Sequence, residues 1–167
     1  MRSNSWLQNQ LDFLLKKYFT DIPLENPIEI KFGREAKYRF GSIRLVKKGI
    51  TSGQGTTSIT SYLPRLLLKA RGTLKTSQTP QKSIITITSM FAKESVPAEV
   101  VHYTIAHELC HYAHGFSSAN RRLFKYPHHG GIVNKELTGR GAHHLISAFK
   151  KWLKIYRGQI LSGRVSV

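Results

Sequence analysis

The segment TIAHELCHYAHGF, residues 104–116, contains the pattern H-E-x-x-H at His107, Glu108 and His111. On an α-helix, residues four positions apart lie one turn above each other on the same face, so both imidazoles can bind one ion. Glu108 is rotated by about 100° from the first histidine, which keeps it out of the coordination shell but within reach of a water molecule beside the ion. The pattern therefore requires a helix, and it predicts His107 and His111 as metal ligands and Glu108 as general base.

Local signals on both sides of this motif predict the helix that it requires. Pro97 suits the first position of a helix, Glu99 follows in the first turn, and Gly115 is a typical C-terminal cap. The preceding segment SIITITSM, residues 83–90, is short and rich in β-branched residues, which favours a strand. We therefore expect a strand, a loop and then a helix that ends near His114.

A catalytic zinc site needs a third protein ligand and one open position. His129 and His128 lie in the downstream segment PHHGGIVNKEL, and Glu136 lies one turn into the helix that this segment begins. His114 is near the ligand face, seven positions after His107, but it is so close in sequence that it would strain to complete the same tetrahedron. The residues themselves leave His129, Glu136 and His128 open as the third ligand.

Helical periodicity recurs at both ends of the chain. Apolar residues at helical spacing predict a helix over residues 4–19, and IVNKELTG at 132–139 begins another. A further helical segment covers residues 141–158. Its expected buried stripe is Leu145, Phe149, Trp152, and either Ile155 or Tyr156.

Alternation of apolar and charged residues predicts two strands between these helices. They lie in PIEIKFG at 27–33 and in KYRFGSIRLVKKG at 37–49, with a slip at Gly41 that is typical of a bulge. Residues 51–61 are polar and contain glycine, which predicts a loop, whereas 62–72 fits a short helix or a strand equally well. The strands and helices together indicate an α+β protein.

The length of 167 residues favours one domain that spans residues 1–167. A single cysteine, Cys110, excludes a disulfide within the chain and a cysteine zinc ribbon, and we expect it to be a small core thiol. The N-terminus lacks the features of a secretory signal, and no run approaches the ~20 apolar residues of a membrane span. We therefore expect a cytoplasmic protein that does not enter a membrane.

The charge balance points to a polyanionic partner. The chain has 26 lysines and arginines against 9 acidic residues, a formal net charge of +17, and nucleic acid is the commonest polyanion in a cell. The segment RRLFKY, residues 121–126, mixes cations with aromatic residues that suit stacking on single-stranded bases, or equally a basic loop over an apolar patch. DNA or another nucleic acid is therefore an expected partner beside any protein substrate.

Residues 83–138 resemble the SprT-like (Spartan-type) zinc metalloprotease domain. The resemblance is carried by ITITSMFAKESVPAEVVHYTIAHELCHYAHG and by the later HHGGIVNKEL, in which a histidine-glycine pair opens the next helix. It implies a small zincin-like α+β domain with an N-terminal helix, a short, mostly antiparallel sheet, the H-E-x-x-H helix and C-terminal helices. It also implies Zn²⁺ as cofactor, with His107, His111 and His129 as ligands and Glu108 as the catalytic residue.

The chain departs from that family pattern in three respects. Gly131 and Ile132 stand where members of the family often have a proline and an acidic residue. The cysteine zinc ribbon that many members carry cannot form here, so DNA contacts would have to come from the basic surface. The polar stretch at 51–80 is expected to be an insertion of this protein.

The resemblance implies a zinc metalloendopeptidase, in which Glu108 takes a proton from the attacking water and later delivers it to the leaving amine. A strand edge beside the active helix would hold the substrate extended, with residues 83–90 and 39–47 as candidates. The alternative is a basic nucleic-acid-binding protein with a structural or vestigial zinc site. Candidates for stabilising the oxyanion are Arg140, His143, His144 and Tyr126.

Overall fold

The structure, a computed structural model, describes residues 1–47 and 81–162. Within these residues it contains four α-helices and a small three-stranded sheet, which confirms an α+β protein. The expected loop at 51–61, the ambiguous segment at 62–72 and the expected insertion at 51–80 lie outside the described residues. The elements are α1 (Asn4–Tyr18), β1 (Ile28–Phe32), β2 (Gly41–Lys47), β3 (Gln81–Ile87), α2 (Ala98–Ala113), α3 (Ile132–Gly139) and α4 (His143–Leu161).

Helix α1 forms where its apolar period predicts it. The Ser3 hydroxyl caps its N-terminus by accepting a hydrogen bond from the Trp6 amide at 3.1 Å, and the last turn carries Lys16 and Lys17, which complement the helix dipole. The face that enters the core consists of Leu7, Leu11, Leu14 and Tyr18.

The sheet is mixed, and its strand order is β1-β3-β2. Strand β1 pairs parallel with β3, whereas β2 pairs antiparallel with it, so that Ile85 lies between Ile30 and Ile43. The expectation of a mostly antiparallel sheet was wrong, because one pair of each kind is present. The apolar pattern identifies strands, but it does not say which neighbour a strand will pair with.

Helix α2 lies between the sheet and the C-terminal helices and carries much of the core. It begins at Ala98, directly after Pro97, and ends at Ala113, as its flanking signals predict. Cys110 on this helix is free and fully buried, as expected of a core thiol. The residues of α2 that are essentially inaccessible to solvent are Val100, Val101, Ile105, Ala106, Leu109, Cys110 and Tyr112.

Helix α4 closes the core with an aromatic cluster. Leu145 and Tyr156 are buried, whereas Ile155 is 57% exposed, so the stripe ends in Tyr156. Trp152 stacks on Tyr156 with ring centroids 4.7 Å apart, and Phe149 lies beside it. No helix of residues 1–47 and 81–162 combines the length and the apolar character needed to cross a membrane.

Strand β2 approaches helix α2 very closely at Gly41. A Cβ atom at this position would lie 2.8 Å from Cγ2 of Thr104 and 2.9 Å from Oε1 of Glu108. The register between β2 and β3 is unbroken from Gly41 onward, so the expected bulge is absent and the strand simply begins at this glycine. Glycine is needed here because only a residue without a side chain lets the strand lie against the motif helix.

We expect Gly41→Ala to lower the free energy of unfolding by about 1–3 kcal/mol, the usual cost of overpacking. The matched control is Gly158→Ala in helix α4, where an added Cβ meets nothing within 4 Å and helix propensity favours alanine. Urea unfolding of both variants beside the wild type is the measurement. Equal stability of the Gly41 variant and the wild type would contradict the close approach of β2 to α2.

Candidate metal centre and active-site cleft

Three histidines converge at the surface of helix α2. His107 and His111 extend from the same face of the helix, and His128 comes from the loop before α3. The ring centroids lie 4.8 Å apart for His107 and His111, 5.3 Å for His107 and His128, and 4.6 Å for His111 and His128. One ligand atom from each residue lies within 4.8 Å of the others, so the three form a group able to bind a metal ion.

The loop after α2 carries His128 back to the helix. Gly115 adopts a left-handed conformation, φ 75°, and a Cβ there would lie 2.5 Å from the backbone of Arg121, so the chain turns tightly at this point. The Leu123 amide then donates to the His114 carbonyl at 3.0 Å, which ties the returning loop to the helix end. The left-handed Gly130 and Gly131 follow His128 and lead the chain into α3.

His129 does not join this group. It is exposed, and its ring lies nearest to Tyr126, with the centroids 6.4 Å apart. The resemblance implied His129 as the third ligand, whereas the structure brings His128 together with His107 and His111, and which of the two histidines binds a metal stays a prediction. Consecutive residues of a 3₁₀-type turn point about 120° apart, so only one of the two neighbouring histidines can face the helix.

The remaining alternative, Glu136, belongs to a separate network together with His114. Glu136 accepts a hydrogen bond from Arg140 Nε at 2.7 Å, and Arg140 also forms a two-point ion pair with Asp21. The second oxygen of Glu136 lies 3.7 Å from Nε2 of the buried His114. Glu136 is thus engaged by Arg140, and it lies outside the three-histidine group.

The histidine group is suited to a metal ion by its chemistry. Burial, with a contribution from the neighbouring imidazoles, lowers the pKa of His107 to about 3 and that of His111 to about 4, so both rings are neutral near pH 7. Neutral imidazole is the form that donates a lone pair. Nδ1 of His111 is buried without a hydrogen-bond partner among the described residues. Four-coordinate zinc at ~2.0–2.1 Å places ligand nitrogens about 3.3 Å apart, within modest side-chain adjustment of the arrangement present.

Glu108 lies beside this group and is buried, with 6% of its surface exposed. Burial raises the pKa of its carboxyl to about 7, against an opposing effect of the Arg39 charge. Among the described residues the carboxylate has no hydrogen bond or ion pair, so it is free to accept a proton from a molecule in the cleft. A carboxyl with a pKa near neutrality and no structural partner suits general acid–base work.

The histidines and Glu108 open into a cleft of about 450 Å³. A second, smaller pocket of about 220 Å³ adjoins it and shares Arg39, Gly41, His107 and Glu108. Strand β2 follows the cleft, because Ser42 and Ile43 continue its wall from Gly41. The remaining residues of the larger cleft are His111, Phe116, Ser117, Pro127 and His128.

Among the described residues that line the cleft, Arg39 is the one permanent cation, and it was not among the candidates of the sequence analysis. None of the residues proposed there for the oxyanion, which are Arg140, His143, His144 and Tyr126, lines either pocket. Arg39 is exposed, and no acidic residue of the described chain pairs with it. The only signal in the sequence was its position at the start of the 39–47 strand, which was already a candidate for holding substrate.

Comparison of the chain with protein-family models, with curated proteins and with solved structures finds no match. The resemblance to the SprT-like domain therefore depends on the motif residues alone. What the fold and the site define is an α+β protein with a three-histidine group beside a buried glutamate.

We expect purified protein to contain about one zinc ion per chain, and His128→Ala to lose it. The matched control is the neighbouring His129→Ala, which should retain the metal because its side chain lies outside the group. Metal analysis by mass spectrometry after dialysis decides the matter. Loss of zinc from the His129 variant with retention in the His128 variant would restore the ligand set implied by the resemblance.

The metal-free chain should lose stability in acid. Burial lowers the pKa of His102, His107, His111 and His114. Below about pH 6.5 the unfolded chain binds protons that the folded chain does not, so the free energy of unfolding falls as pH falls. The raised pKa of Glu108 opposes this, because it costs stability as pH rises through its range, but one carboxyl acts against four imidazoles.

Urea unfolding in the presence of a chelator, between about pH 7 and pH 5, measures this dependence. The double variant His107→Gln, His111→Gln removes the two groups with the lowest pKa values, so its pH dependence should be shallower than that of the wild type. Parallel curves for the two proteins would show that these imidazoles are not held neutral by the fold.

Proposed function

We propose that this protein is a zinc-dependent metallopeptidase that hydrolyses peptide bonds in an open cleft. The observation that carries the proposal is the convergence of His107, His111 and His128 next to the unpaired, buried Glu108. Three imidazoles leave one position of a tetrahedral ion open, which is the arrangement of catalytic rather than structural zinc. The expected ligand His129 is replaced by His128 in this proposal.

A zinc ion held by His107, His111 and His128 would supply Lewis acidity, which lowers the pKa of a water molecule and polarises a peptide carbonyl. Glu108 then accepts the proton of the attacking water and delivers it to the leaving amine. A positive charge at the histidine group favours the carboxylate form of Glu108, as Arg39 already does, and so prepares it as a base. Its position under Gly41 keeps bulk water away from one side of the carboxylate.

Strand β2 is the better of the two candidate strands for holding a substrate. Strand β3 is central and is paired on both sides, whereas β2 pairs only with β3 within the described residues. Ser42 and Ile43 of β2 line the cleft beside the histidine group. An extended peptide added along this strand would gain backbone hydrogen bonds and would bring a peptide group over Glu108.

Arg39, two residues before the start of this strand, supports the same chemistry. It lines both pockets at the point where they meet Glu108 and His107, and it has no acidic partner among the described residues. An unpaired guanidinium in this place can stabilise the negative charge that develops on a carbonyl oxygen under attack. We assign it this role instead of Arg140, which is engaged by Asp21 and Glu136.

A nucleic-acid partner is the second part of the proposal, and it is supported by the loop that leads to His128. Within 121–126, the aromatic side chains of Phe124 and Tyr126 are 41% and 55% exposed, and the cations are exposed beside them. Aromatic faces among cations suit single-stranded nucleic acid, and they lie close to the cleft because Pro127 lines it. Such a surface would bring the peptidase to proteins that are associated with DNA.

The test of the peptidase is Glu108→Gln, which keeps the shape of the side chain and removes the base. We expect cleavage of an unfolded protein such as casein to fall by about 10²–10⁴-fold, with zinc content and unfolding unchanged. Glu99→Gln is the matched control, because Glu99 is exposed in the first turn of the same helix. Undiminished cleavage by the Glu108 variant would contradict the mechanism.

The alternative function predicts a different outcome. If the protein only binds nucleic acid and its zinc site is structural or vestigial, the wild-type protein will not cleave casein. It would bind a single-stranded oligonucleotide equally well with Glu108→Gln, and the binding would weaken steeply with salt. Binding without any cleavage by zinc-loaded wild type would therefore replace the first proposal by this one.

A further inference from the structure

We propose that the smaller pocket beside Glu108 is a subsite for a large apolar or aromatic side chain of the substrate, next to the bond that is cut. This inference rests on the proposed peptidase function and names the residue class that it would select. We call this pocket the aromatic subsite. The residues that line it and do not line the larger cleft are Tyr38, Phe40, Tyr103, Thr104 and Phe149.

The location of the aromatic subsite ties it to the reacting groups. Glu108, His107 and Gly41 belong to both pockets, so the subsite opens where the catalytic carboxylate stands. A substrate strand along β2 places alternate side chains on the side of helix α2. The side chain nearest to the peptide group above Glu108 is therefore the one that reaches the subsite.

The walls of the subsite are apolar because their polar atoms are used elsewhere. The Tyr103 hydroxyl donates to Asn134 Oδ1 at 3.0 Å, and the Thr104 hydroxyl donates to the Val100 carbonyl at 3.0 Å. The Thr104 methyl group lies on the side of Gly41. Tyr103 and Thr104 therefore offer the subsite a ring and a methyl group rather than a free hydroxyl, and the polar members of its lining, Glu108, His107 and Arg39, are the ones it shares with the larger cleft.

These walls are also held in place before any ligand arrives. Phe149 stacks on Tyr103 with centroids 4.2 Å apart, and Phe40 meets Phe149 edge to face at 6.0 Å. Phe40 is stacked in turn on the fully buried Phe91 and contacts Trp152. A preformed pocket spends little free energy on ordering its own side chains when it binds.

The volume suits one large side chain. At about 220 Å³ the subsite exceeds the cavity of about 150 Å³ that is known to hold a benzene molecule. Tyr38 stands at its rim and is 81% exposed, which leaves a ring available to cover an occupant. Among the described residues that line the subsite, Arg39 is the one permanent cation, and it also lines the larger cleft.

The test uses acetylated and amidated hexa-alanine peptides that carry one Phe, Leu, Asp or Lys, with the all-alanine peptide as reference. Cut sites and kcat/KM are measured by mass spectrometry with zinc-loaded wild type. Binding of the same peptides to Glu108→Gln is followed by NMR shifts of the Thr104 methyl and Tyr103 ring. We expect Phe and Leu to fix the cut at one neighbouring position and to raise kcat/KM by about 10–200-fold over alanine.

Phe149→Ala should reduce this preference for Phe over Ala by at least about 10-fold. Phe149→Leu is a second, milder variant in case the alanine variant folds poorly, and it should reduce the preference in the same direction. The matched control is Phe13→Ala, because Phe13 lies on α1 and does not line either pocket. The control should keep the wild-type preference.

The outcomes separate the two proposals. Cleavage without side-chain preference, a preference for Asp or Lys, or a preference that survives both Phe149 variants would overturn the aromatic subsite and leave the peptidase intact. A different outcome is that the wild type shows no cleavage, whereas Glu108→Gln still binds the Phe peptide and this binding depends on Phe149. In that case the subsite stands and the hydrolytic function fails. Absence of both cleavage and binding overturns the subsite as well.

Discussion

Helix α2 has to serve the core and the cleft at the same time. Its residues Ile105 and Leu109 pack inside the core, whereas His107 and His111, which could bind a metal, extend from roughly the opposite side of the helix. The sheet lies close enough to leave no room for a side chain at Gly41. Because a well-packed core fixes the position of the helix, the orientation of the histidines and of the glutamate between them is determined by apolar contacts on the far side of the same element.

The electrostatics of the cleft are unusual for so basic a chain. With a formal charge of +17, most of the surface favours carboxylate ionisation, yet burial raises the pKa of Glu108 to about 7. The same burial keeps His107 and His111 neutral. Burial therefore keeps the imidazole lone pairs free to bind a metal ion, and it raises the pKa of a carboxyl group whose ionisation a bound cation would favour. The buried His114, 3.7 Å from Glu136 in the neighbouring network, adds to the effect of burial and of His128 in lowering the pKa of His111.

Much of the fold follows from local periodicity. Helix α1, helix α2 and helix α3 lie within one or two residues of their expected bounds, because caps and apolar spacing act over a single turn. The mixed pairing of the sheet was not predicted, since strand direction depends on the whole path of the chain. The sequence also did not predict whether Tyr156 or Ile155 would end the buried stripe of α4. The rotation of a helix about its axis is set by the elements against which the helix packs, and here it buries Tyr156.

Part of the candidate site could likewise be predicted from local sequence, and part could not. The relation among His107, Glu108 and His111 was determined by sequence alone, because a helix of fixed period converts their spacing into a common face. The grouping of His128, rather than His129, with the two helix histidines and the presence of Arg39 and of the smaller pocket beside Glu108 were decided only by the tertiary structure. Adjacent residues of a loop point in different directions, and residues distant in sequence meet only where the packed elements bring them together, so no local pattern could have specified them.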